Sequence, residues 1–176
     1  ENWCWEREAL DLISGHYQTG EKLPDDLFDK MLAARNFQSA MMMLRQLEFS
    51  LFDFRLHLEF NPNEPNQVEK ILEQVRNEVT VVKPPKFNRF AHSFAHIFAG
   101  GYAAGYYSYK WAEVLDADAF EYFKQEGIFN KKVANKFKEF VLSQGGTQDP
   151  MELYVKFRGQ KPNPEALLKR AGLIKS

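Results

Sequence analysis

Phe37-Gln38-Ser39-Ala40-Met41-Met42-Met43-Leu44-Arg45-Gln46-Leu47-Glu48-Phe49-Ser50-Leu51-Phe52-Asp53-Phe54-Arg55-Leu56-His57-Leu58 is the stretch that decides the fold class. Apolar side chains recur at Phe37, Met41, Leu44, Leu47, Leu51, Phe54 and Leu58. The steps alternate between three and four, the period of one face of an α-helix, and predict a long core helix. Met41 to Met43 span most of a turn of it, so at least one of these adaptable side chains faces the core.

Outward from this segment the punctuation is helical too. Pro24 stands ahead of Asp25 and Asp26, Asn66 has Glu69 three residues on, Asp149 precedes Pro150, and Asn163 precedes Pro164. Short oxygen-bearing side chains satisfy the free N–H groups of a first turn, and proline lacks an N–H to satisfy, so each site predicts a helix start. Gly15, Gly20, Gly127, Gly145-Gly146 and Gly159 supply stops. No region alternates with period two. The β-branched run Val79 to Val82 is followed at once by Pro84 and Pro85, which makes it an extended connector with at most one short strand. The expectation is an all-α, multi-helical fold: one helical domain over residues 1–176, jointed by a flexible connector and glycine loop at about 83–101.

Composition narrows the function classes. Of 176 residues, 44% are apolar and 15% aromatic, and 23 basic side chains face 24 acidic ones. Such a chain is globular and nearly neutral, with no block of like charge to suit a nucleic acid. Its lone cysteine, Cys4, excludes an internal disulfide and a multi-cysteine metal site and fits a reducing compartment, the cytoplasm by default. No apolar run reaches membrane-spanning length, which excludes a membrane partner of that kind. The opening Glu1-Asn2-Trp3 carries neither a start methionine nor a signal pattern, as expected for part of a longer protein.

Chemistry concentrates between Phe94 and Trp111, where His96, the pair Gly100-Gly101 and four tyrosines crowd together. If the stretch after the glycines is helical, Tyr102, Tyr106 and Tyr109 fall at i, i+4 and i+7 on one stripe while Tyr107 points elsewhere. Neutral phenols on a cleft wall can donate to the anion that develops in acyl transfer. The same stripe also suits aromatic packing against a core. His92 and His96, four apart, have the spacing of many zinc ligands, but no glutamate lies between them and no third ligand is nearby; a hydrogen-bonding role for at least one fits better. His16 and His57 read as surface or satisfied histidines. Asp116, Asp118, Glu121 and Glu126, interleaved with Phe120, Phe123 and Lys124, read as a solvated helix face rather than an acid–base pair. Neither Ser93 nor Ser108 lies in the strand-turn-helix elbow of a serine nucleophile.

Four segments together resemble the C-terminal portion of the thimet oligopeptidase family of zinc metallopeptidases: Glu1-Asn2-Trp3-Cys4-Trp5, Leu44-Arg45-Gln46-Leu47-Glu48-Phe49 through Phe52-Asp53-Phe54-Arg55, the His96 to Trp111 run, and Phe157-Arg158-Gly159. The similarity runs over essentially the whole chain. It implies a cytoplasmic, zinc-dependent oligopeptidase that hydrolyses short peptides. It also implies that the HExxH helix and the further glutamate that hold Zn2+ lie outside this chain, since Glu1 belongs to the ENW segment and no zinc ligands remain here. By the same resemblance His96 contacts substrate or the tetrahedral intermediate, and Tyr102 and Tyr109 bind substrate and stabilise the oxyanion. Tyr106 is a further cleft tyrosine, and Gly100-Gly101 belong to a mobile loop that closes on bound peptide. The implied partners are oligopeptide substrates and the N-terminal remainder of the same peptidase, and the isolated chain is expected to be inactive. The alternative, from another class, is a non-catalytic helical module that binds peptides or a partner protein through the tyrosine stripe.

Overall fold

A computed structural model describes residues 1–175. After a 3-10 turn at Asn2–Trp5, the helices in chain order are α1 (Arg7–Ile13), α2 (Asp25–Arg35), α3 (Ser39–Glu59), α4 (Gln67–Val79), α5 (Phe90–Ser93) and α6 (Ala95–Phe98). They are followed by α7 (Ser108–Glu126), α8 (Lys131–Phe137), which runs on into a π-helical turn at Lys138–Leu142, α9 (Pro150–Arg158) and α10 (Glu165–Arg170). No strand occurs among the described residues, and the chain bends at Val81 and Val82 after α4. The fold is all-α, as the spacing predicts.

The starts follow the capping chemistry. Asp149 Oδ1 accepts the N–H groups of Met151 at 2.8 Å and Glu152 at 3.1 Å, and Pro150 fills the first turn of α9. Glu165 N donates to Asn163 Oδ1 at 3.0 Å ahead of α10. α2 begins directly after Pro24. Asn66 marks the start of α4 by a different device: its backbone is left-handed, φ 58°, and its side chain makes no cap. Asparagine tolerates that region better than most residues. Gly159, φ 84°, terminates α9 in the same left-handed way.

The chain forms two compact units, residues 38–113 and residues 1–37 with 114–175. In the first, Phe52 and Leu56 of α3 pack with Ile71, Leu72 and Val75 of α4, with Ala91, Phe94 and Ile97, and with Tyr106. The buried face of α3 corrects the sequence reading. Glu48, Phe52, Asp53 and Leu56 are inside, whereas Phe37 and Leu58 of the apolar series are 76% and 74% exposed, and Met41, Met42 and Phe54 are exposed as well. α4 docks along the face that carries 48, 52 and 56, about 100° around the helix from the apolar stripe, because successive residues are turned by that angle. Two carboxylates therefore lie in the packed face. Glu48 is satisfied by Arg45 at 2.8 Å, Arg76 at 2.9 Å and the Thr80 hydroxyl at 3.0 Å.

The second unit packs Ala119, Phe120 and Phe123 of α7 with Val133, Tyr154 and Phe157. Trp3 closes it, its ring edge-on to Phe120 and Phe123 and its Nε1 donating to the Ile128 carbonyl at 2.9 Å. Here the solvated-face reading of the acidic residues fails at Asp118, which is 2% exposed. Its carboxylate accepts the Tyr154 hydroxyl at 2.7 Å and pairs with Arg158 Nε at 3.3 Å, both reaching it from α9.

Candidate functional site

The segment from Tyr102 to Tyr107 is not a helix. Residues 103–107 run as successive turns, and α7 starts only at Ser108. Gly105 N donates to the Tyr102 carbonyl at 2.8 Å, and Ala104 takes a left-handed φ of 54°, which a residue with a Cβ seldom adopts. The cause is a carboxylate distant in sequence. Asp53, fully buried on α3, accepts the Ala104 N–H at Oδ1 and the Tyr106 N–H at Oδ2, both at 2.9 Å. Those two amides are held where a helix would have turned them elsewhere. His57 Nδ1 stands 3.0 Å from Asp53 Oδ1 and 2.8 Å from the Asp53 carbonyl, one turn on along α3.

The helical stripe is thus replaced by a turn, yet the rings converge. Tyr102 and Tyr109 stack at 5.1 Å with planes 26° apart, and Tyr106 meets Tyr109 at 5.1 Å. His96 lies 6.2 Å from the Tyr102 ring and 6.0 Å from that of Tyr106, edge-on to the latter. Tyr107 turns away and meets Phe54 at 6.0 Å. His96, Tyr102, Tyr106 and Tyr109 therefore form one cluster.

Gly100 and Gly101 explain how His96 and Tyr102 come side by side. The chain doubles back after α6: Gly100 N donates to the Ala95 carbonyl at 2.8 Å and Tyr102 N to the His96 carbonyl at 3.1 Å. A Cβ on Gly100 would sit 2.9 Å from His96 Cα and 3.0 Å from its carbonyl oxygen, while Gly101 has a φ of 79° with open space around it. One glycine is needed for close approach, the other for its backbone.

The three phenols are not equivalent. Tyr106 is buried and donates its hydroxyl to Gln46 Oε1 at 3.1 Å, and burial raises its pKa above the ordinary tyrosine value. Tyr109 is 41% exposed, and hydrogen bonding with Tyr102, followed by burial and the neighbouring phenols, raises its pKa too. Tyr102 is half-buried and His96 exposed. The arrangement offers phenol hydroxyls and an imidazole on one aromatic surface, with a third phenol buried against Gln46.

Asp53 and Gln46, which hold this cluster, were missed in the sequence reading. The available signal was a carboxylate set inside the apolar run Leu51 to Leu58.

His92 and His96 do not share a helix face, because the helix breaks at Phe94, ψ 63°, between α5 and α6. His92 Nε2 instead lies 3.7 Å from a Glu69 carboxylate oxygen. Among the described residues no group of three His, Cys, Asp or Glu side chains is placed to hold a metal ion, so the residues present do not fit a zinc site. Nor is any described helix long and apolar enough to cross a membrane.

Comparison with known proteins gives the site its context. The chain is 56% identical over 173 residues to oligopeptidase A of Salmonella typhimurium and, at the same identity and length, to that of Escherichia coli. Each match covers 98% of this chain and 25% of the relative. Oligopeptidase A of Haemophilus influenzae is 54% identical over 174 residues, 99% of this chain and 26% of the relative. The chain thus spans about a quarter of the length of these relatives, and the part it matches is C-terminal. The sequence pattern of peptidase family M3 matches residues 1–173, and the chain belongs to that family.

Proposed function

We propose that this chain is the C-terminal part of a zinc-dependent oligopeptidase that hydrolyses short peptides, and that it supplies the wall that binds substrate and stabilises the oxyanion. Tyr102 and Tyr109 are the donors, His96 contacts the substrate or the tetrahedral intermediate, and Tyr106 lines the cleft behind them. The observation that carries this reading is the stack of Tyr102 on Tyr109 with His96 beside it, on a turn pinned from below.

Amide hydrolysis passes through a tetrahedral intermediate whose oxygen becomes negative. A neutral O–H fixed in advance at that oxygen is worth on the order of 3 kcal/mol per donor, because no solvent has to reorganise as charge appears. Tyr109 suits the task, since an ordinary phenol already keeps its proton at neutral pH and the neighbouring Tyr102 hydroxyl raises its pKa further. No described residues of this chain are placed to hold zinc; a zinc ion bound by the remainder of the longer protein would supply carbonyl polarisation and an activated water. The residues of this chain bind the peptide, donate to its developing oxyanion and, by a movement of the Gly100-Gly101 turn, close over it. The intended partners are oligopeptides and the rest of the same peptidase, with the cytoplasm as the setting.

The isolated chain with added zinc is expected to show no cleavage of a quenched fluorogenic oligopeptide that the full-length protein cleaves. Robust hydrolysis by the isolated chain, abolished by a chelator and absent from Tyr109→Phe, would overturn this assignment.

A further inference from the structure

We infer that Asp53 is a positioning residue for the proposed oxyanion donors: its carboxylate sets the turn that carries Tyr106 and joins Tyr102 to Tyr109. The inference rests on the reading of these phenols given above and adds the residue on which their geometry depends.

Asp53 is fully buried in the C-terminal half of α3. Its two oxygens are divided between two backbone N–H groups of the same turn, Ala104 on Oδ1 and Tyr106 on Oδ2, each at 2.9 Å. Only a carboxylate of this length does both. An asparagine in its place keeps one acceptor oxygen and turns an NH2 group toward the other amide N–H, donor against donor. The turn also carries a load that something must hold, because Ala104 sits at φ 54° in a region a β-carbon disfavours. Outlying backbone of this kind persists where its surroundings over-determine it, and it gathers at functional sites. Here the over-determination is visible: Oδ1 grips the N–H of the left-handed residue itself. The stacked Tyr102 and Tyr109 rings flank the same turn in sequence. His57, a third exposed, completes the post by placing Nδ1 3.0 Å from Oδ1. A carboxylate that holds two amides of one turn sets where that turn's side chains point.

The test uses the full-length protein that contains this chain, with Asp53→Asn, Ala104→Gly, the double variant and Tyr109→Phe. A misplacement of catalytic groups by about 1 Å can cost on the order of 100-fold in rate, so Asp53→Asn is expected to lower kcat at least about tenfold with KM within about threefold. Amide hydrogen exchange at Ala104 and Tyr106 is expected to accelerate. Adding Ala104→Gly is expected to recover much of the lost kcat, because glycine takes the left-handed conformation without help from Asp53. Exchange that accelerates at Ala104 and Tyr106 but not across the rest of α3, in protein whose melting curve shows it folded, is a result that a general loss of stability does not produce. Asp53→Asn with wild-type kcat, while Tyr109→Phe is impaired, overturns this inference and leaves the parent reading intact. So does a kcat loss that only tracks unfolded protein and gains nothing from Ala104→Gly. Tyr109→Phe with wild-type kcat sinks the parent reading, and the positioning role with it. If Asp53→Asn does not accumulate folded, amide exchange in the unsubstituted protein decides: Ala104 and Tyr106 N–H are expected to be protected although they lie outside any helix, and free exchange at both counts against Asp53.

Discussion

The rings of Tyr102 and Tyr109 stack with centroids 5.1 Å apart, although a series of turns rather than a helix separates them. Tyr109→Phe keeps the ring, and therefore the stack, while removing only the hydroxyl. In the full-length protein this variant is expected to lose about 100- to 1,000-fold in kcat with little change in KM, the loss typical of an oxyanion donor. Its melting temperature is expected to hold, because the side chain is 41% exposed. Steady-state kinetics on a short peptide check the split. A raised KM at constant kcat would assign the hydroxyl to uniform substrate binding instead.

The same phenol makes a pH prediction. Hydrogen bonding with Tyr102 and burial raise the Tyr109 pKa above its ordinary 10.0. The donor is the protonated form, so it is fully present below the ordinary value and is lost only as pH rises through the raised one. Any alkaline limb of the kcat profile that comes from Tyr109 is therefore expected to lie above that of an ordinary phenol, whose pKa is about 10. An alkaline limb near pH 8 that disappears in Tyr109→Phe would contradict this.

The two glycines are expected to respond differently to alanine. At Gly100 the new Cβ meets His96 backbone at 2.9 Å, and backbone cannot step aside as a flexible side chain does. Gly100→Ala is expected to cost about 1–3 kcal/mol, the usual penalty of overpacking, and to shift the His96 ring resonances. Gly101→Ala meets open space and is expected to cost about 1–2 kcal/mol for its left-handed backbone alone. Its His96 resonances should stay nearly in place. Chemical denaturation and proton NMR of the pair separate the two mechanisms.

Glu48 should behave as a buried charge held by three partners. It is 1% exposed, and its carboxylate joins Arg45 and Arg76 to Thr80. Glu48→Ala is expected to destabilise by about 3–5 kcal/mol, because Arg76 is left largely buried without its counter-charge. A denaturation midpoint close to wild type would show that water replaces the carboxylate without difficulty.

The helices were legible because their signals are local. Apolar steps of three and four drew α3, and Asp149 with Pro150 marked α9 by a hydrogen bond that spans two or three residues. The constellation of His96, Tyr102, Tyr106 and Tyr109 was legible as a grouping for the same reason, since all four lie within fourteen residues of one another. Their geometry was not. The i, i+4, i+7 rule presumes a helix, and Asp53, half a hundred residues away, diverts the amides of Ala104 and Tyr106 into a turn. The buried face of α3 was hidden in a related way. Glu48 and Asp53 look like solvated positions until their partners on other segments are known, and the apolar period points to a neighbouring face. Asp118 repeats the lesson in the other unit, where Tyr154 and Arg158 arrive from α9.

That last contact carries a stability prediction outside the proposed site. Burial, then the hydrogen bond to Asp118 and its negative charge, pushes the Tyr154 pKa well above its ordinary 10.0. Between the unfolded and folded values the native state holds a proton that the unfolded state has released, so stability falls as pH rises there. The contribution of Tyr154 is thus complete below about pH 10 and is lost progressively above it, on the way to the raised folded value. Tyr154→Phe removes the hydroxyl and leaves Asp118 with Arg158 alone at 3.3 Å. Leaving a buried acceptor short of its partner is expected to cost about 1–3 kcal/mol at neutral pH. With no phenol left to ionise, the variant should lose less stability than wild type between about pH 10 and pH 11.5, so that the two denaturation curves approach each other. Parallel curves over that range would mean that Tyr154 titrates normally and that its bond to Asp118 does not persist in solution.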